Sequence, residues 1–258
     1  PPGVVNLLSG DPATIASQLI SSDVIKKISL TGSTRVGKII LKQAAEKIQR
    51  VTMELSGHAP FIVHADANID KAVDIAMAVK YRNNGQVCIS PSRFYIHESK
   101  KEEFTKSFVS KTLKLKIGDG MNKDVQLGPI TTKKRLQEIE KLVETTKKEG
   151  AKLLCGGKRP AGFNKGYFYE PTVFDNVKDD FTIMTEEPFG PLTPLLSFKN
   201  FDEVISKAND QSAGLAGYVC TSSIELANKT SESLETGMVA VNTPFISNAE
   251  TPFGGVKQ

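Results

Sequence analysis

The sequence has no tryptophan, three cysteines and three histidines among its 258 residues, and it contains no long apolar run. A helix that crosses a membrane needs roughly 18 consecutive apolar residues. No segment approaches that length, and no basic segment followed by an apolar one opens the chain, so we expect neither a membrane partner nor a secretory signal. The cysteines lie far apart and form no C-x-x-C pair. They therefore indicate a reducing, cytoplasmic environment rather than a disulfide-stabilised fold.

Metal ligands and basic clusters are also missing. The histidines and cysteines do not have the spacing of a zinc site, so we expect no metal. The net charge of +4, from 33 Lys and Arg against 29 Asp and Glu, is only mildly basic. In the lysine-rich segment 133–148 the lysines are interleaved with glutamates, which is typical of a solvated helix face. We therefore expect no nucleic-acid partner.

Both ends of the chain look cut. It begins Pro1-Pro2-Gly3 without an initiator methionine and stops at Gln258 in a Gly-rich loop. Its apolar share of 39% is nevertheless enough for a substantial core. We therefore expect a fragment of a longer protein, long enough for one large domain or two modest ones.

Short apolar runs alternate with segments of helical period along most of the chain, which predicts an α/β fold with a parallel sheet and crossover helices. The Gly-, Pro- and aromatic-rich segment 156–180 is interpreted as a hairpin, and a boundary near Gly57 divides the chain into domains 1–57 and 58–258. Strands are predicted near residues 4–8, 28–31, 51–55, 61–64, 94–96, 192–198, 218–221 and 238–241. Helices are predicted near residues 12–20, 36–48, 69–81, 100–113, 133–148, 202–209 and 224–234.

Cys88 is the strongest candidate for a catalytic side chain. It follows a predicted helix that ends in Asn83-Asn84-Gly85, so we expect it at the exposed tip of a tight loop. A thiol in that position becomes a nucleophile where backbone N–H groups or a base favour the thiolate. A lone cysteine can equally be a small buried hydrophobic residue. Cys155 and Cys220 lie in apolar strand-like runs, and we expect them to be structural.

Three further segments carry candidate functional residues. Glu54 ends an apolar strand, where a carboxylate is costly unless it is a general base or has an ion-pair partner. The turn 32–37 joins a strand to a helix N-terminus, which favours a phosphate, although its glycines can also serve turn geometry alone. The loop 186–191 contains Glu187, followed by Phe189 between two prolines, and its simplest interpretation is a solvated turn.

Together these segments resemble the signatures of the aldehyde dehydrogenase superfamily, in the family's order and over essentially the whole chain. The resemblance implies an α/β fold with a parallel-sheet catalytic domain and the second part of a doubly wound cofactor-binding domain. The signatures are a pyrophosphate-facing turn (31–37), a glutamate motif (53–60), a cysteine motif (84–88), a loop that grips the nicotinamide ribose (186–191) and a closing pocket segment (251–255).

The resemblance also implies roles for individual residues. Cys88 would attack the aldehyde and pass through a thiohemiacetal and a thioester, and its backbone N–H would supply half of the oxyanion hole. Glu54 would activate the water that hydrolyses the thioester. The hydride acceptor would be NAD or NADP. The cofactor-binding residues would be Gly32, Ser33, Val36, Gly37, Leu55, Glu187 and Phe189.

Arg82, Ser247 and Phe253 are the predicted substrate residues. Arg82 and Ser247 match positions that hold the substrate carboxylate in the succinate-semialdehyde dehydrogenases of this family, so an anionic semialdehyde is expected. A neutral small aliphatic or aromatic aldehyde is the alternative substrate. A cofactor-independent cysteine esterase or acyl transferase, or a non-catalytic binding role, is an alternative function.

Some positions depart from the family pattern or lie outside this chain. His58 stands where the family usually has Lys, and Ser90 stands where a smaller residue is common. In relatives, the first cofactor-binding strands, the Asn that completes the oxyanion hole and a Lys for the adenosine ribose precede the segment seen here. The resemblance therefore implies poor turnover by the 258 residues alone. It also implies a homodimeric or homotetrameric parent enzyme.

Overall fold

The computed structural model describes residues 1–258, which form two compact units, Pro1–Ser56 and Gly57–Gln258. Gly57, the first residue of the second unit, packs on the backbone of Cys88, where an added Cβ would stand 2.0 Å from the carbonyl oxygen. No helix combines the length and the hydrophobicity needed to cross a bilayer.

The first unit is a two-stranded parallel sheet with two helices. Its elements are α1 (Pro12–Ser21), β1 (Lys27–Thr31), α2 (Thr34–Ala45) and β2 (Arg50–Glu54). The strands pair in register from Lys27 opposite Arg50 to Thr31 opposite Glu54. Asp11 begins α1 by accepting a hydrogen bond from the Thr14 N–H at 2.8 Å, as expected for Asp before a helix-opening Pro.

Two predictions for the first unit are wrong. Residues 4–8 form no strand, because the sheet consists of β1 and β2 alone and offers them no pairing partner. Ile48, predicted to continue the apolar face of a helix, lies beyond the end of α2 with φ 52° and is 93% exposed. The helical spacing of Ile48 therefore led to a wrong prediction of the end of α2.

The second unit is a seven-stranded sheet in the order β5-β6-β7-β4-β3-β8-β9. All neighbouring strands are parallel except β5 and β6, whose antiparallel pairing gives the hairpin expected near residues 156–180. Its elements are β3 (Ala59–Val63), α3 (Ile69–Tyr81), β4 (Pro91–His97), α4 (Lys101–Thr112), α5 (Lys133–Lys148), β5 (Lys152–Cys155), β6 (Thr172–Asp175), α6 (Thr182–Thr185), β7 (Leu192–Phe198), α7 (Phe201–Asn209), β8 (Ala216–Cys220), α8 (Ile224–Ser233) and β9 (Met238–Val241).

The sheet is buried on both faces, which explains the uninterrupted apolar run of β3. Phe61 and Val63 point into one apolar cluster with residues of α3 and α4, whereas Ile62 points into a second cluster with residues of α5 and α7. All three side chains are fully buried. Successive residues of a strand face opposite sides, so a parallel sheet covered by helices on both sides needs apolar residues at every position.

The loops that enter β3, β4, β7 and β8 lie at one edge of this sheet, because the amino ends of parallel strands share an edge. Gly57 precedes β3, Cys88 precedes β4 and Gly190 precedes β7. This edge carries the candidate site of the second unit.

Candidate active site

The cysteine loop, defined as residues 82–90, begins where α3 ends. Arg82–Gly85 forms a 3-10 turn in which Asn83, Asn84 and Gly85 have positive φ values of 48°, 58° and 72°. A Cβ on Gly85 would stand 2.2 Å from the carbonyl oxygen of Gly190. Only glycine fits this contact and tolerates this backbone, so Gly85 fixes the cysteine loop against the 186–191 loop.

Side-chain amides hold the cysteine loop in place. The Gln86 Oε1 accepts hydrogen bonds from the N–H and hydroxyl of Thr131 at 2.9 and 3.1 Å. The Asn84 Nδ2 donates to the carbonyl of Gly128 at 3.0 Å. Both amide side chains are buried. The loop is therefore tied to residues 128–131, ahead of α5.

Cys88 is half-buried rather than at an exposed tip, which corrects the expectation from the sequence. Its side chain packs against the apolar cluster of α3 and α4, and a Cβ on Gly57 would stand 2.0 Å from its carbonyl oxygen. The Cys88 backbone is thus closely packed from one side. A half-buried thiol on an anchored loop has both the accessibility and the fixed position that a nucleophile needs.

The other two cysteines are poor nucleophiles. Cys155 in β5 and Cys220 in β8 are free cysteines that form no disulfide. Burial raises the pKa of each thiol, to about 12 for Cys220. Because the thiolate is the reactive form, neither side chain competes with Cys88.

A pocket of about 390 Å³ lies beside the cysteine loop and contains two of the three predicted substrate residues, Arg82 and Ser247. Arg82 is the only charged side chain of its lining, which is otherwise mostly apolar and contains no carboxylate. Tyr218 forms part of the wall and donates a hydrogen bond to the Ile89 carbonyl at 2.9 Å. Phe253, which is 42% exposed, is not part of this lining.

The 186–191 loop carries a half-buried Glu187 whose Oε1 accepts a hydrogen bond from the Gly57 N–H at 3.3 Å. Phe189 has a positive φ of 40°, and the Arg135 guanidinium lies 5.7 Å from the centre of its ring. Glu187 and Arg135 also line a second pocket, of about 510 Å³. The loop thus presents a carboxylate and an aromatic face next to a cation.

His58 ties the start of β3 to the segment before the 186–191 loop. Its Nε2 donates to the Met184 carbonyl at 2.8 Å, and its Nδ1 accepts from the Ser92 hydroxyl at 2.5 Å. A carbonyl oxygen can only accept, which assigns the proton to Nε2. Burial, helped by the positive charge of Arg93, lowers the pKa of His58 to about 3. His58 is therefore a neutral structural link.

In the first unit, the predicted phosphate turn and Glu54 are neighbours at the carboxyl ends of β1 and β2. The Gly32 N–H donates to the Glu54 carbonyl at 3.0 Å, and the exposed Ser33 begins α2 by accepting from the Val36 N–H at 3.4 Å. Partial burial raises the pKa of the Glu54 carboxyl group. This arrangement suits an anion at the helix N-terminus and a carboxylate of increased basicity.

Gly37 and Leu55 have a packing role in addition to any predicted contact with a cofactor. A Cβ on Gly37 would stand 2.6 Å from the Cδ2 of Leu55. Gly37 therefore allows α2 to lie close to the end of β2. No group of three or more His, Cys, Asp or Glu side chains is arranged to hold a metal ion.

Sequence reasoning missed two cations of this region. Lys80 lies in the last turn of α3 and is 1% exposed, although the spacing Ala72-Ala76-Lys80 shows that it shares the buried helix face. Arg135 lies in the first turn of α5, and no local signal indicates that this turn reaches Phe189.

Comparisons with known proteins cover the entire chain. The model of the aldehyde dehydrogenase family matches residues 1–258. The chain is 41% identical to a probable NADP(+) succinate-semialdehyde dehydrogenase of Sinorhizobium fredii, over 100% of this chain and 52% of that protein. It is 44% identical to aldehyde dehydrogenase 1A1 of Mesocricetus auratus, over 100% of this chain and 51% of that protein. The solved succinate-semialdehyde dehydrogenase from Burkholderia pseudomallei matches with a TM-score of 0.94 and 42% identity, covering 97% of this chain and 52% of that chain. The chain thus spans about half the length of the curated relatives it matches.

Proposed function

The chain belongs to the aldehyde dehydrogenase family, and from that premise we propose that the whole protein oxidises an aldehyde to the carboxylic acid with NAD or NADP. The observation that carries this proposal is the half-buried thiol of Cys88 on a loop fixed by Gly85 and Gln86. Such a loop holds a nucleophile at one position without blocking its approach to a substrate carbon.

Cys88 carries the covalent steps. Its thiolate attacks the aldehyde carbon to give a thiohemiacetal, whose oxyanion accepts a hydrogen bond from the Cys88 backbone N–H. Bound NAD(P) supplies the acceptor for the hydride that leaves this carbon, and a thioester on Cys88 remains. Glu54 removes a proton from the water that hydrolyses the thioester, a role for which its raised pKa is suited.

Residues of each unit fit parts of a dinucleotide. In the first unit, Gly32 and Ser33 are exposed at the N-terminus of α2, whose first turn has no acidic residue to repel a diphosphate. In the second unit, the half-buried Glu187 carboxylate can accept hydrogen bonds from ribose hydroxyls, and the ring of Phe189 can pack on nicotinamide. An NADP(+) enzyme is among the relatives, which supports a trial of both dinucleotides.

We propose an anionic semialdehyde, such as succinate semialdehyde, as the substrate. The 390 Å³ pocket beside the cysteine loop has Arg82 as its only charged lining residue and Ser247 as a hydroxyl donor. A guanidinium binds a carboxylate through two parallel hydrogen bonds. A neutral aldehyde is the second candidate, because the chain is 44% identical to an aldehyde dehydrogenase 1A1 and the rest of the lining is mostly apolar.

Kinetics of the whole protein with succinate semialdehyde and with uncharged aldehydes of similar length separate these substrates. We expect Arg82→Gln to lower kcat/KM for the anionic aldehyde about 10- to 100-fold, because the variant loses a charge-assisted hydrogen bond to the carboxylate. The kcat/KM values for the uncharged aldehydes should stay nearly unchanged. Arg50→Gln, at an exposed position of the first unit, is the matched control. An unchanged ratio between the aldehydes in Arg82→Gln would refute the carboxylate site, and absence of NAD(P)-dependent oxidation of any aldehyde would refute the proposed activity.

A further inference from the structure

Cys88 lies in a four-residue turn that ends the cysteine loop. The Ser90 N–H donates to the Val87 carbonyl at 2.9 Å and closes this turn, with Cys88 and Ile89 as its two central residues. The conformation of such a turn is set by the backbone dihedral angles of its central residues. Those angles also determine the direction of the Cys88 thiol relative to the rest of the loop.

The peptide unit between Ile89 and Ser90 is held at both of its ends. Its N–H, on Ser90, makes the hydrogen bond that closes the turn. Its carbonyl oxygen, on Ile89, accepts a hydrogen bond from the Tyr218 hydroxyl at 2.9 Å. Because a trans peptide unit is planar and its N–H and C=O point in opposite directions, the two hydrogen bonds together oppose its rotation. Tyr218 therefore fixes one side of the turn that carries Cys88.

Tyr218 is itself firmly anchored in the sheet. It lies in the middle of β8, which pairs with β3 on one side and with β9 on the other. The side chain is 2% exposed, and its ring stacks on that of Phe61 with centroids 6.0 Å apart. Protein interiors are close-packed, so a side chain held in this way has little freedom to move. The hydroxyl thus transmits the rigidity of the sheet to the turn.

The hydroxyls of other buried tyrosines make contacts elsewhere. Tyr95 of β4 is 1% exposed, and its hydroxyl donates to the Asp179 carboxylate at 3.3 Å. The Tyr81 hydroxyl pairs with that of Thr112 at 3.1 Å. Neither contact involves the backbone of the turn at residues 87–90. Tyr95 is therefore a matched control for the loss of a buried phenol hydroxyl.

We propose that Tyr218 is a positioning residue that holds the Val87–Ser90 turn, and with it the Cys88 thiol and backbone N–H, in the geometry needed for attack on the aldehyde. This inference rests on the proposed function, because it assigns Tyr218 a role only through Cys88. The Tyr218 hydroxyl binds the Ile89 carbonyl and not the aldehyde. Its loss should therefore slow the chemical steps for every aldehyde alike and leave aldehyde binding unchanged.

Steady-state kinetics of the whole protein test the proposal with Tyr218→Phe, which keeps the ring and removes the hydroxyl, and with Tyr95→Phe as control. We expect Tyr218→Phe to lower kcat about tenfold both for succinate semialdehyde and for an uncharged aldehyde of similar length, because a misplaced nucleophile loses its alignment with the carbonyl carbon. The KM for each aldehyde should stay within about twofold. Tyr95→Phe should leave kcat nearly unchanged.

Amide hydrogen exchange tests the turn without reference to activity. The Ser90 amide, resolved by mass spectrometry of overlapping peptides, should exchange at least about tenfold faster in Tyr218→Phe than in wild type, because the peptide unit is then held at one end only. In Tyr95→Phe this amide should exchange as in wild type. Alkylation of Cys88 by iodoacetamide should stay within about threefold of wild type in both variants, since this reaction needs only an accessible thiolate.

Each outcome decides between the two claims. Wild-type protein that oxidises no aldehyde overturns the proposed function and the role of Tyr218 together. With an active wild type, an unchanged kcat or an unchanged Ser90 exchange rate in Tyr218→Phe overturns the role of Tyr218 alone. An equal loss of kcat in Tyr95→Phe, or a raised aldehyde KM at normal kcat in Tyr218→Phe, refutes it as well. If Tyr218→Phe fails to fold while Tyr95→Phe folds, Tyr218 is structural and the proposal is wrong.

Discussion

The two units place their candidate residues at opposite ends of their strands. In the first unit, the phosphate turn follows β1 and Glu54 ends β2, so the site is at the carboxyl ends, as is usual for nucleotide sites in parallel sheets. In the second unit, Gly57 and Cys88 precede β3 and β4, so the site is at the amino ends. The rule that ligands bind at the carboxyl ends of parallel strands locates the first site but not the second.

The units also differ in how well they bury apolar side chains. In the first unit Val5, Val24 and Ile48 are 89, 83 and 93% exposed, and two strands form its entire sheet. In the second unit the seven-stranded sheet is covered on both faces, and Phe61 is fully buried. Two strands alone are marginal in water, whereas a sheet with two buried faces supports a rigid site. The cysteine loop therefore sits on the better-packed unit.

A truncated side chain in the core of the second unit should cost the most stability. Phe61→Ala removes a ring that stacks on Phe94 with centroids 5.1 Å apart, and it should cost about 3–5 kcal/mol of unfolding free energy. Val24→Ala, at an exposed position of the first unit, should change stability by less than about 0.5 kcal/mol. Urea unfolding of the 258-residue chain, followed by circular dichroism, measures both values. Similar losses in the two variants would abolish the contrast between the units.

Amide hydrogen exchange of the 258-residue chain compares the same units without mutation. We expect the amides of β3 and β4 to exchange at least about 100-fold more slowly than those of β1 and β2, because only the former belong to a sheet covered on both faces. Exchange at equal rates would show that the first unit is as stable as the second.

Gly85→Ala tests whether the cysteine loop depends on its contact with the 186–191 loop. A left-handed backbone at a residue other than glycine costs about 1–3 kcal/mol, and the new Cβ would also displace the Gly190 carbonyl. Gly120→Ala is the control, since a Cβ there has no atom within 4 Å. We expect Gly85→Ala to melt at a lower temperature than the control. Equal melting temperatures would mean that the cysteine loop does not depend on its contact with the 186–191 loop.

Counted per pH unit, the contribution of His58 to the pH dependence of stability is the smallest of these effects. Burial lowers the pKa of His58 from 6.5 to about 3 in the folded second unit, so between these pH values mainly the unfolded chain binds this proton. Stability should therefore fall as the pH falls from 6.5 toward 3, by up to about 1.4 kcal/mol per pH unit. His58→Gln should reduce this slope, and His97→Gln, at the half-buried last residue of β4, serves as the control. An unchanged slope in His58→Gln would contradict the assignment of a buried neutral histidine.

Much of the second unit could be predicted from local signals. The helix predicted at 69–81 coincides with α3, whose start is capped by Asn68 and whose end is set by the Asn83-Asn84-Gly85 turn. The strand predicted at 238–241 coincides with β9. In both segments the apolar pattern, the caps and the turn residues agree with the packing that the unit provides.

Some of the failures share a physical cause, because they depend on a partner far away in the sequence. Residues 4–8 have a strand-like composition and no neighbouring strand. The Arg135 guanidinium of α5 lies over the ring of Phe189, which is more than 50 residues further along the chain. Periodicity identifies the buried face of a helix, but it does not identify the group that this face meets.

The proposed function requires that Cys88 become covalently bonded to the substrate carbon. Its most direct test is mass spectrometry of the whole protein carrying Glu54→Gln, digested after reaction with NAD(P) and the aldehyde. Because the proposed base is removed, the thioester should accumulate, and the peptide that contains Cys88 should carry the acyl group of the aldehyde. In a protein that oxidises the aldehyde, an unmodified Cys88 peptide, or an acyl group on Cys155 or Cys220 instead, would contradict the claim.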